Sequence, residues 1–509
     1  MRQIGFKNFR KFENFPMLNF GEITVLVGRN NAGKSTMVKA ILLLLDNLKC
    51  WHKGGSGSAI TDFRFDATYS NNTHIGTFKR ALNSYTSDSS MQFCATFTDT
   101  IPSPLTQNNK VDFTVIIDVY GDKTIDNSIA QIKHIKIINN ITGMSYGFDF
   151  NINRMYIDIP SALQNVTEGE DISALKKEAA TEKDPIKVAQ LTEKIQRYTK
   201  SSKSKEEQSH IETDLNFNDQ FRKLDILSSL IYTVTQYIAT EPKGDKRSKE
   251  YKTEKANRLI LEKYKSEIES FASQIALVLL TKNIEYIYAH SVTQRAIFSI
   301  DDKNDYLATT LHEYYNANIS KKDKAKEFLV SWLKQLEIGE DFEVKTIQGE
   351  GYTAVLTRSD KTKLHLADLG MGSIQLVVLL LRLAIAIKRS ERSSTKPTII
   401  VEEPEQNLHP AKQSQLAELF YKASSEFGLR FIIETHSEYL IRRSQVIVAE
   451  NSDKAEWTNP FAVYYFPEDG VPYDMKYTKY GRFEEKFGEG FFDAASDLNM
   501  RIIRKERGL

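Results

Sequence analysis

The 509-residue sequence predicts an α/β fold that carries an antiparallel β subdomain and an inserted helical arm. An apolar strand, a glycine-rich loop and a helix follow one another at residues 23–48. Two more apolar strands with polar or acidic ends lie almost at the other end of the chain, within 397–437. Between these parts, residues 165–275 are rich in Lys and Glu and show helical periodicity. We therefore divide the chain into an N-terminal half (1–164), a helical insertion (165–275) and a C-terminal half (276–509).

Composition and charge narrow the class of protein. Charged residues make up 27% of the chain, apolar and aromatic residues make up 41%, and the net charge is +1. Any nucleic-acid site would therefore be a local patch. The two cysteines, Cys50 and Cys94, form neither a disulfide framework nor a zinc site, and they fit a reducing cytoplasm.

The sequence gives no sign of export or of membrane insertion, so we expect a cytoplasmic protein without a membrane partner. The start, MRQIGFKNF, lacks the apolar core of a signal peptide. The longest apolar run, Ile374–Ile387, is interrupted by Arg382 and is shorter than the roughly 18 residues that a membrane span needs. It is predicted to be a buried helix.

The N-terminal half is predicted to be mainly strands. The short strands IGFKNF, PMLNF and EITVLVG precede a helix from Ser35 to about Leu48. The runs VDFTVIIDVYG and HIKIINNITGMSYGFDFNI follow, and their alternation and bounding turn residues predict antiparallel hairpins.

The insertion is predicted to be helical. Apolar residues at three- and four-residue steps (Val188, Leu191, Ile195 and Tyr198) form a helical stripe. The apolar helix LDILSSLIYTVTQYIA and a second charged helix follow, which predicts a short antiparallel coiled coil. The C-terminal half then resumes a mixed pattern, with a strand in IEYIYAHS, a helix around FLVSWLKQLEI and a hairpin in FEVKTIQGEGYTAVLT.

The loop GRNNAGKST lies between a strand and a helix and has the spacing GxxxxGK[ST]. Its glycines let backbone N–H groups point at a phosphate, and the helix N-terminus adds partial positive charge. Lys34 would reach the β- and γ-phosphates, and Ser35 would ligate Mg²⁺. The alternative is an ordinary glycine-rich turn. The candidate phosphate-binding residues are Gly28, Arg29, Asn30, Asn31, Ala32, Gly33, Lys34, Ser35 and Thr36.

The segments PTIIVEEPEQNLHP and FIIETHS are predicted to be apolar strands that end in functional side chains. Glu402 would hold the Mg²⁺ shell, and Glu403 would orient and polarise the attacking water. His436 would contact the γ-phosphate or that water. The alternative for the two glutamates is a solvated strand end.

The segment LADLGMGSIQ places Gly372 and Ser373 at the start of the long apolar helix. One interpretation is that Ser373 only caps that helix. The other is that the helix N-terminus and the Ser373 hydroxyl face a nucleotide phosphate. In one chain this would duplicate the phosphate loop, whereas in a two-fold dimer it would meet the nucleotide of the other copy.

Taken in order, GRNNAGKS, LADLGMGSIQ, VEEPEQNLHP and ETHS resemble the ABC-type ATPase heads of the SMC, RecF and OLD-like group. The resemblance covers residues 1–160 and 280–509, and it implies an ABC/SMC-like P-loop ATPase head that uses ATP and Mg²⁺. In that family the four segments are the phosphate loop, the signature motif, the acidic strand and the histidine switch, and two heads enclose two ATP molecules. The segment KNFRKF also resembles the family's opening strand, whose basic and aromatic residues lie near the base.

The chain departs from the family pattern in three places. Glu402 stands where many members have Asp. The signature is LGMGSIQ, which is closer to the OLD-like branch. The glutamine-loop equivalent is not placed, because GTFKRAL (76–82) occupies a plausible region and has no Gln.

OLD nucleases carry a C-terminal Toprim domain, but only about 70 residues follow ETHS, too few for that fold. Asp493 and Asp497 are better explained as a solvated helix face. We therefore expect a separate nuclease partner, of HNH type by preference and Toprim type otherwise. The chain resembles the PtuA family of ATPase subunits of Septu-type and retron anti-phage systems, and the segment at 288–315 is similar to that branch.

Two other functions stay open. A RecF-like DNA-repair ATPase would use the basic segment 243–265, which has nine Lys or Arg against four acids and could contact phosphates; the alternative is a solvated coiled-coil face. An ATP-binding scaffold would keep the nucleotide site with negligible turnover. The insertion could also join dimers into larger assemblies.

Overall fold

The computed structural model describes residues 1–50, 61–66, 75–101, 109–160, 209–215, 226–281, 284–288, 295–302, 305–391, 396–488, 491–492 and 500. The stripe at 188–198, Asp493 and Asp497 lie outside these residues.

The strands of the described chain are β1 (Gln3–Phe9), β2 (Phe12–Asn19), β3 (Ile23–Gly28), β4 (Asp62–Arg64), β5 (Ser90–Ile101), β6 (Asn109–Tyr120), β7 (Ile129–Asn139), β8 (Ser145–Asp149), β9 (Arg154–Ile159), β10 (Ser209–Asp214), β11 (Ile284–Ile287), β12 (Phe298–Ser299), β13 (Asp341–Ile347), β14 (Gly351–Thr357), β15 (Lys363–His365), β16 (Thr398–Glu402), β17 (Arg430–Thr435), β18 (Phe461–Phe466) and β19 (Tyr473–Asp474). The helices are α1 (Lys34–Cys50), α2 (Phe78–Ala81), α3 (Ile226–Ala239), α4 (Lys249–Thr281), α5 (Tyr306–Asn316), α6 (Lys324–Gln335), α7 (Met371–Ser390), α8 (Pro410–Phe427) and α9 (Glu438–Asn451).

A six-stranded sheet joins the two distant halves of the sequence. Its order is β11-β16-β17-β3-β18-β19, and all neighbours are parallel except the last pair. Alternate residues face opposite sides, as strand geometry requires. Leu26, Ile400 and Ile432 belong to one hydrophobic core, whereas Val25 and Val401 belong to a second core on the other face. The sheet is therefore buried on both faces, which is typical of parallel sheets.

The first core lies between this sheet and a nine-stranded antiparallel sheet, in the order β10-β9-β8-β7-β6-β5-β1-β2 with β4 beside β7. The predicted N-terminal hairpins and the α/β class with an antiparallel subdomain are thus confirmed. Helices α3 and α4 pack on this sheet, where the Phe271 ring contacts Phe113 and Tyr146. The two helices also contact each other, since Arg258 Nε donates to the Tyr237 carbonyl at 2.9 Å. The described part of the predicted insertion is therefore attached to the head.

The second core holds α5 to α9 and the small sheet of β12 to β15. Helix α7 lies at its centre, which confirms the buried helix predicted from the apolar run. In the described chain, α7 is the one helix long and apolar enough to cross a membrane, and 72% of its most apolar window is buried inside the protein.

Arg382 is the charge that interrupts the apolar run of α7. Its side chain is buried and donates to Thr310 Oγ1 at 2.8 Å, Glu285 Oε1 at 3.3 Å and Glu313 Oε1 at 3.0 Å. The guanidinium also lies 4.6 Å from the centre of the Tyr306 ring. Arg382 therefore links α7 to α5 and β11.

Candidate functional site

The predicted site residues follow the carboxyl ends of three adjacent parallel strands. β16 ends at Glu402, β17 ends at Thr435 and β3 ends at Gly28. Because parallel strands end at the same edge of a sheet, the phosphate loop, the acidic strand and His436 meet there although about 400 residues separate them. The parallel pairing places Glu402 directly beside Glu434.

The phosphate loop joins β3 directly to α1. Lys34 is buried, with only 3% of its surface exposed, and its Nζ donates to the carbonyls of Gly28 (3.0 Å) and Arg29 (2.9 Å). Gly33 has φ of 105°, and a Cβ there would lie 2.5 Å from the Phe12 ring. Only glycine fits this backbone and this contact. Burial lowers the pKa of Lys34 from its ordinary value.

A cavity of about 820 Å³ opens over this loop. Its wall contains five cationic side chains, the phosphate loop, two glutamates and His436. The lining residues are Arg10, Lys11, Asn30, Asn31, Gly33, Lys34, Ser35, Thr36, Lys79, Arg80, Leu82, Ser84, Glu403, Glu434 and His436.

Four of the cations, Arg10, Lys11, Lys79 and Arg80, were not among the predicted site residues. Burial and the neighbouring charge of Arg80 lower the pKa of Arg10. Like charges held together in a half-buried cavity favour an anionic ligand. The sequence signal was available in KNFRKF and GTFKRAL, which supply Arg10 and Lys11, and Lys79 and Arg80, to the same wall.

The loop residues differ in their surroundings. Lys11 Nζ donates to the Asn31 carbonyl at 3.1 Å and to the Glu468 carbonyl at 2.6 Å, so it ties the loop to the turn after β18. The exposed Arg29 side chain pairs with Glu468 at 3.3 Å, and Ala32 is buried in the core. Arg29 and Ala32 therefore contribute backbone to the loop, and their side chains do not line the cavity.

Glu434 is the acidic site residue that the sequence reasoning missed. Ser35 Oγ donates to Glu434 Oε1 at 2.9 Å, and Lys34 Nζ lies 3.9 Å from the same oxygen. The signal was an acidic residue at the end of an apolar strand, the same pattern that singled out Glu402. Burial, and then the neighbouring Glu402 carboxylate, raise the pKa of Glu434 to about 7.

The remaining glutamates take different positions. Glu403 lines the cavity, and its backbone has φ of 43°, a left-handed conformation that is strained for a side chain of this kind. Glu402 ends β16 and does not line this cavity, and burial is the main cause that raises its pKa. Glu405 is buried and its Oε1 accepts from the His436 backbone N–H at 2.6 Å. One carboxylate oxygen in each of Glu402, Glu405 and Glu434 has no hydrogen-bond partner within the described part of the chain.

His436 lies on the cavity wall beside Glu403, with 3.9 Å between its Nε2 and Glu403 Oε1. Burial, and then the positive charge of Lys34, lower its pKa to about 4. The imidazole is therefore neutral at physiological pH, and it can take part in hydrogen bonds without adding a positive charge.

Gly372 and Ser373 do not line the cavity of their own chain. Helix α7 begins after Gly370, which is its N-cap residue without a side-chain hydrogen bond, and Ser373 lies in the first turn. The capping interpretation of Ser373 is therefore wrong. A Cβ on Gly372 would lie 2.4 Å from the Asn407 carbonyl, and Gln375 bonds to Gln406 and Asn407. The helix start thus packs on the segment that follows the acidic strand.

The comparisons with known proteins agree with an ATPase. The sequence profile of the AAA ATPase domain family matches residues 1–441. No curated protein matches the chain.

Several solved structures are similar to this chain at low identity. One is the SMC head bound to the C-winged helix domain of ScpA, with 12% identity, coverage of 93% of this chain and 96% of that chain, and a TM-score of 0.43. Another is the SMC head domain with an extended coiled coil bound to the C-terminal domain of ScpA from Pyrococcus furiosus, with 13% identity, coverage of 99% of both chains and a TM-score of 0.33. The SMC head domain from Thermotoga maritima has 9% identity, coverage of 94% and 100%, and a TM-score of 0.30.

The family profile covers most of the chain, and the phosphate loop, the acidic strand and the histidine meet at one sheet edge. The chain belongs to the AAA ATPase domain family and is a P-loop protein of the ATP-hydrolysing kind.

Proposed function

We propose that this chain is a Mg²⁺-dependent ATPase that forms a two-fold dimer around ATP and controls a separate nuclease, of HNH type, in anti-phage defence in the cytoplasm. The observation that carries the ATPase part is the cavity itself. It combines a phosphate loop, five cationic side chains and Glu403 on one wall.

ATP binding would use the loop and its cations. Lys34 now donates to two loop carbonyls, and it would exchange these for phosphate oxygens. The N-terminus of α1 and the loop N–H groups favour the same anion. Arg10 and Arg80 supply further positive charge from the antiparallel subdomain.

The residues present fit a Mg²⁺ ion. Ser35 Oγ is a hard oxygen ligand in the cavity wall, and the buried Glu402 Oε1 has no partner within the described residues. When bound, Mg²⁺ would neutralise phosphate charge and orient the γ-phosphate.

Hydrolysis would depend on Glu403 and His436. Glu403 would accept a hydrogen bond from the attacking water and polarise it. Glu403 follows the end of β16 with a left-handed backbone, and it lines the cavity. His436, neutral at physiological pH, would hydrogen-bond to the water or to the γ-phosphate.

A second copy would complete the site. Gly372 and Ser373 lie outside their own cavity, so the start of α7 is available to a nucleotide held by the partner. Within one chain, this start contacts the segment that follows Glu403 through Gln375 and Asn407. Through this contact, a movement of the α7 start on dimer closure would be passed to the segment that follows Glu403.

The first experiment compares ATP affinity, turnover and mass in solution. Lys34→Ala is expected to abolish ATP binding. Glu403→Gln should lower turnover by about 10²–10⁴-fold and should accumulate an ATP-bound dimer. Ser373→Arg should bind ATP normally and stay monomeric.

Ser425→Arg is the matched control, because it places the same side chain on an exposed serine of α8. Turnover that survives in Glu403→Gln would contradict the assigned role of Glu403, and negligible turnover of the wild type would favour the scaffold. If Ser373→Arg still dimerised with ATP, this result would contradict the proposal that Ser373 faces the nucleotide held by the other copy.

The nuclease part is supported by the resemblance of the segment at 288–315 to the anti-phage ATPase branch, and by the signature LGMGSIQ, which is closer to the OLD-like branch. Its test is a pull-down of tagged Glu403→Gln from the native host with ATP, with Ser373→Arg as the matched bait, read by mass spectrometry. A stoichiometric nuclease bound only by the first bait supports the proposal. A plaque assay that shows no protection by the intact system would contradict it.

A DNA-repair ATPase is the second candidate, and one observation favours it. Six basic side chains around the start of α4 are exposed: Lys243, Lys246, Arg247, Lys249, Lys252 and Lys255. Salt-sensitive DNA binding that is lost on changing Lys246, Arg247 and Lys249 to Glu would support this candidate. Capture of repair factors without a nuclease in the pull-down would support it too.

A further inference from the structure

We propose that Glu434 is a third protein ligand of the metal ion, together with Ser35 and Glu402. This inference rests on the proposed function, since it concerns the metal of the same nucleotide site. It adds a carboxylate that the motif-based assignment left out.

Sheet geometry places Glu434 on the required side. Glu402 and Glu434 are direct neighbours in the parallel pair β16–β17. Two residues before each of them, Ile400 and Ile432 face the core that also holds α1. Because strand side chains alternate with period two, both carboxylates point toward α1 and Ser35.

The contacts agree with this orientation. Glu434 Oε1 accepts a hydrogen bond from Ser35 Oγ at 2.9 Å. Two of the three proposed oxygen ligands are therefore already in contact. The residue is only 5% exposed, and its Oε2 has no hydrogen-bond partner within the described chain. The Lys34 Nζ atom lies 3.9 Å from Oε1. A buried carboxylate oxygen without a partner is costly unless a cation or donor arrives.

The ligand chemistry selects a hard divalent cation. Two carboxylates and a hydroxyl oxygen are ligands that Mg²⁺ and Mn²⁺ prefer, whereas no thiolate is involved. Glu434 also lines the ATP cavity, so the ion would lie where phosphate oxygens can complete its shell. The competing explanation is that Glu434 only fixes the Ser35 hydroxyl by a hydrogen bond.

Glu434→Gln separates the two explanations, because glutamine keeps an acceptor for Ser35 and removes the charge. The probe is Mn²⁺, whose binding to the protein–ATP complex is measured by electron paramagnetic resonance. We expect the Mn²⁺ dissociation constant to rise by about 10–100-fold. Glu434→Asp, which keeps the charge on a shorter side chain, should give an intermediate value.

Binding of a fluorescent ATP analogue in EDTA is the second readout, and it should be unchanged or tighter in Glu434→Gln. This result also shows that the variant is folded. Glu405→Gln is the matched control, since Glu405 is another buried carboxylate with an unpartnered oxygen but bonds to the His436 backbone and not to Ser35. Its Mn²⁺ affinity should stay within about twofold of wild type, well below the 10–100-fold effect of a lost ligand.

A Mn²⁺ affinity of Glu434→Gln within about twofold of wild type, with normal ATP binding, would overturn this inference and leave the proposed function intact. Absence of ATP binding by the wild-type protein in both Mn²⁺ and EDTA would overturn the proposed function and the inference together.

Discussion

Two clusters of buried charge lie at the parallel sheet, and they differ in how their charges are balanced. Around Arg382, the guanidinium meets Glu285 on β11 and Glu313 on α5 within 3.3 Å. Around Glu434, the carboxylates of Glu434 and its strand neighbour Glu402 each keep one buried oxygen without a partner in the described chain. The first cluster is completed by the protein's own residues. The second holds excess negative charge beside a cavity, which is typical of a site that receives a cation from outside.

The largest expected stability effect comes from breaking the balanced cluster. Arg382→Met should lower the free energy of unfolding by roughly 3–5 kcal/mol, because it leaves buried carboxylates uncompensated. Urea denaturation without nucleotide measures this loss. Arg389→Met is the matched control, since Arg389 pairs with the same Glu313 at 2.7 Å but is 53% exposed. It should cost about 0–1 kcal/mol. Equal losses in the two variants would show that burial does not distinguish them.

Removing a charge from the second cluster should raise the free energy of unfolding, whereas removing Arg382 from the first cluster lowers it. The pKa of Glu434 in the folded protein is about 7, above its ordinary value of 4.5. Protonated Glu434 therefore stabilises the fold fully below pH 4.5, and this contribution disappears as the pH rises through 7. Glu434→Gln should match wild type near pH 5 and be more stable by about 2–3 kcal/mol at pH 8.5.

Thermal unfolding across that pH range, without ATP or divalent ions, tests this prediction. Glu438→Gln is the control, because Glu438 pairs with Arg442 at the protein surface. A Glu434→Gln variant that is less stable than wild type at pH 8.5 would show that the carboxylate is balanced after all.

The smallest expected effect concerns the backbone beside this cluster. Glu403 has φ of 43°, which costs an L-residue roughly 1–2 kcal/mol and glycine much less. Glu403→Gly and Glu403→Ala both remove the side chain, but only alanine keeps the strain. The glycine variant should be more stable than the alanine variant by about 1 kcal/mol in urea denaturation. The reverse order would mean that Glu403 is not strained.

Local patterns in the sequence were sufficient for the phosphate-loop half of the site. The strand, the loop from Gly28 to Gly33 and the helix from Lys34 are contiguous, and each has a strong signal of its own. The acidic strand and the strand before His436 were likewise predicted. Their roles in metal binding and catalysis stay predictions.

Contacts between distant segments could not be predicted in the same way. Ser35 and Glu434 are 399 residues apart in the chain, and no periodicity links them. Arg10 and Arg80 belong to different elements of the antiparallel subdomain and meet only at the cavity wall. The sequence also left Ser373 between two interpretations. Gly370 is the N-cap residue of α7, and Ser373 lies inside the first turn. The structure therefore contradicts the interpretation that Ser373 caps this helix.

The sequence by itself determined which chemistry is present: a phosphate-binding loop, carboxylates at strand ends and a histidine after an apolar strand. These features are local, since they depend on glycine conformations, strand alternation and helix termini. The tertiary structure decided which of these groups touch. Parallel pairing aligned Glu402 with Glu434, and the packing of α1 on that sheet placed Ser35 against them. Burial at this edge then raised the pKa values of the Glu402 and Glu434 carboxyls and lowered that of the His436 imidazole, because desolvation acts on the assembled fold and not on a segment.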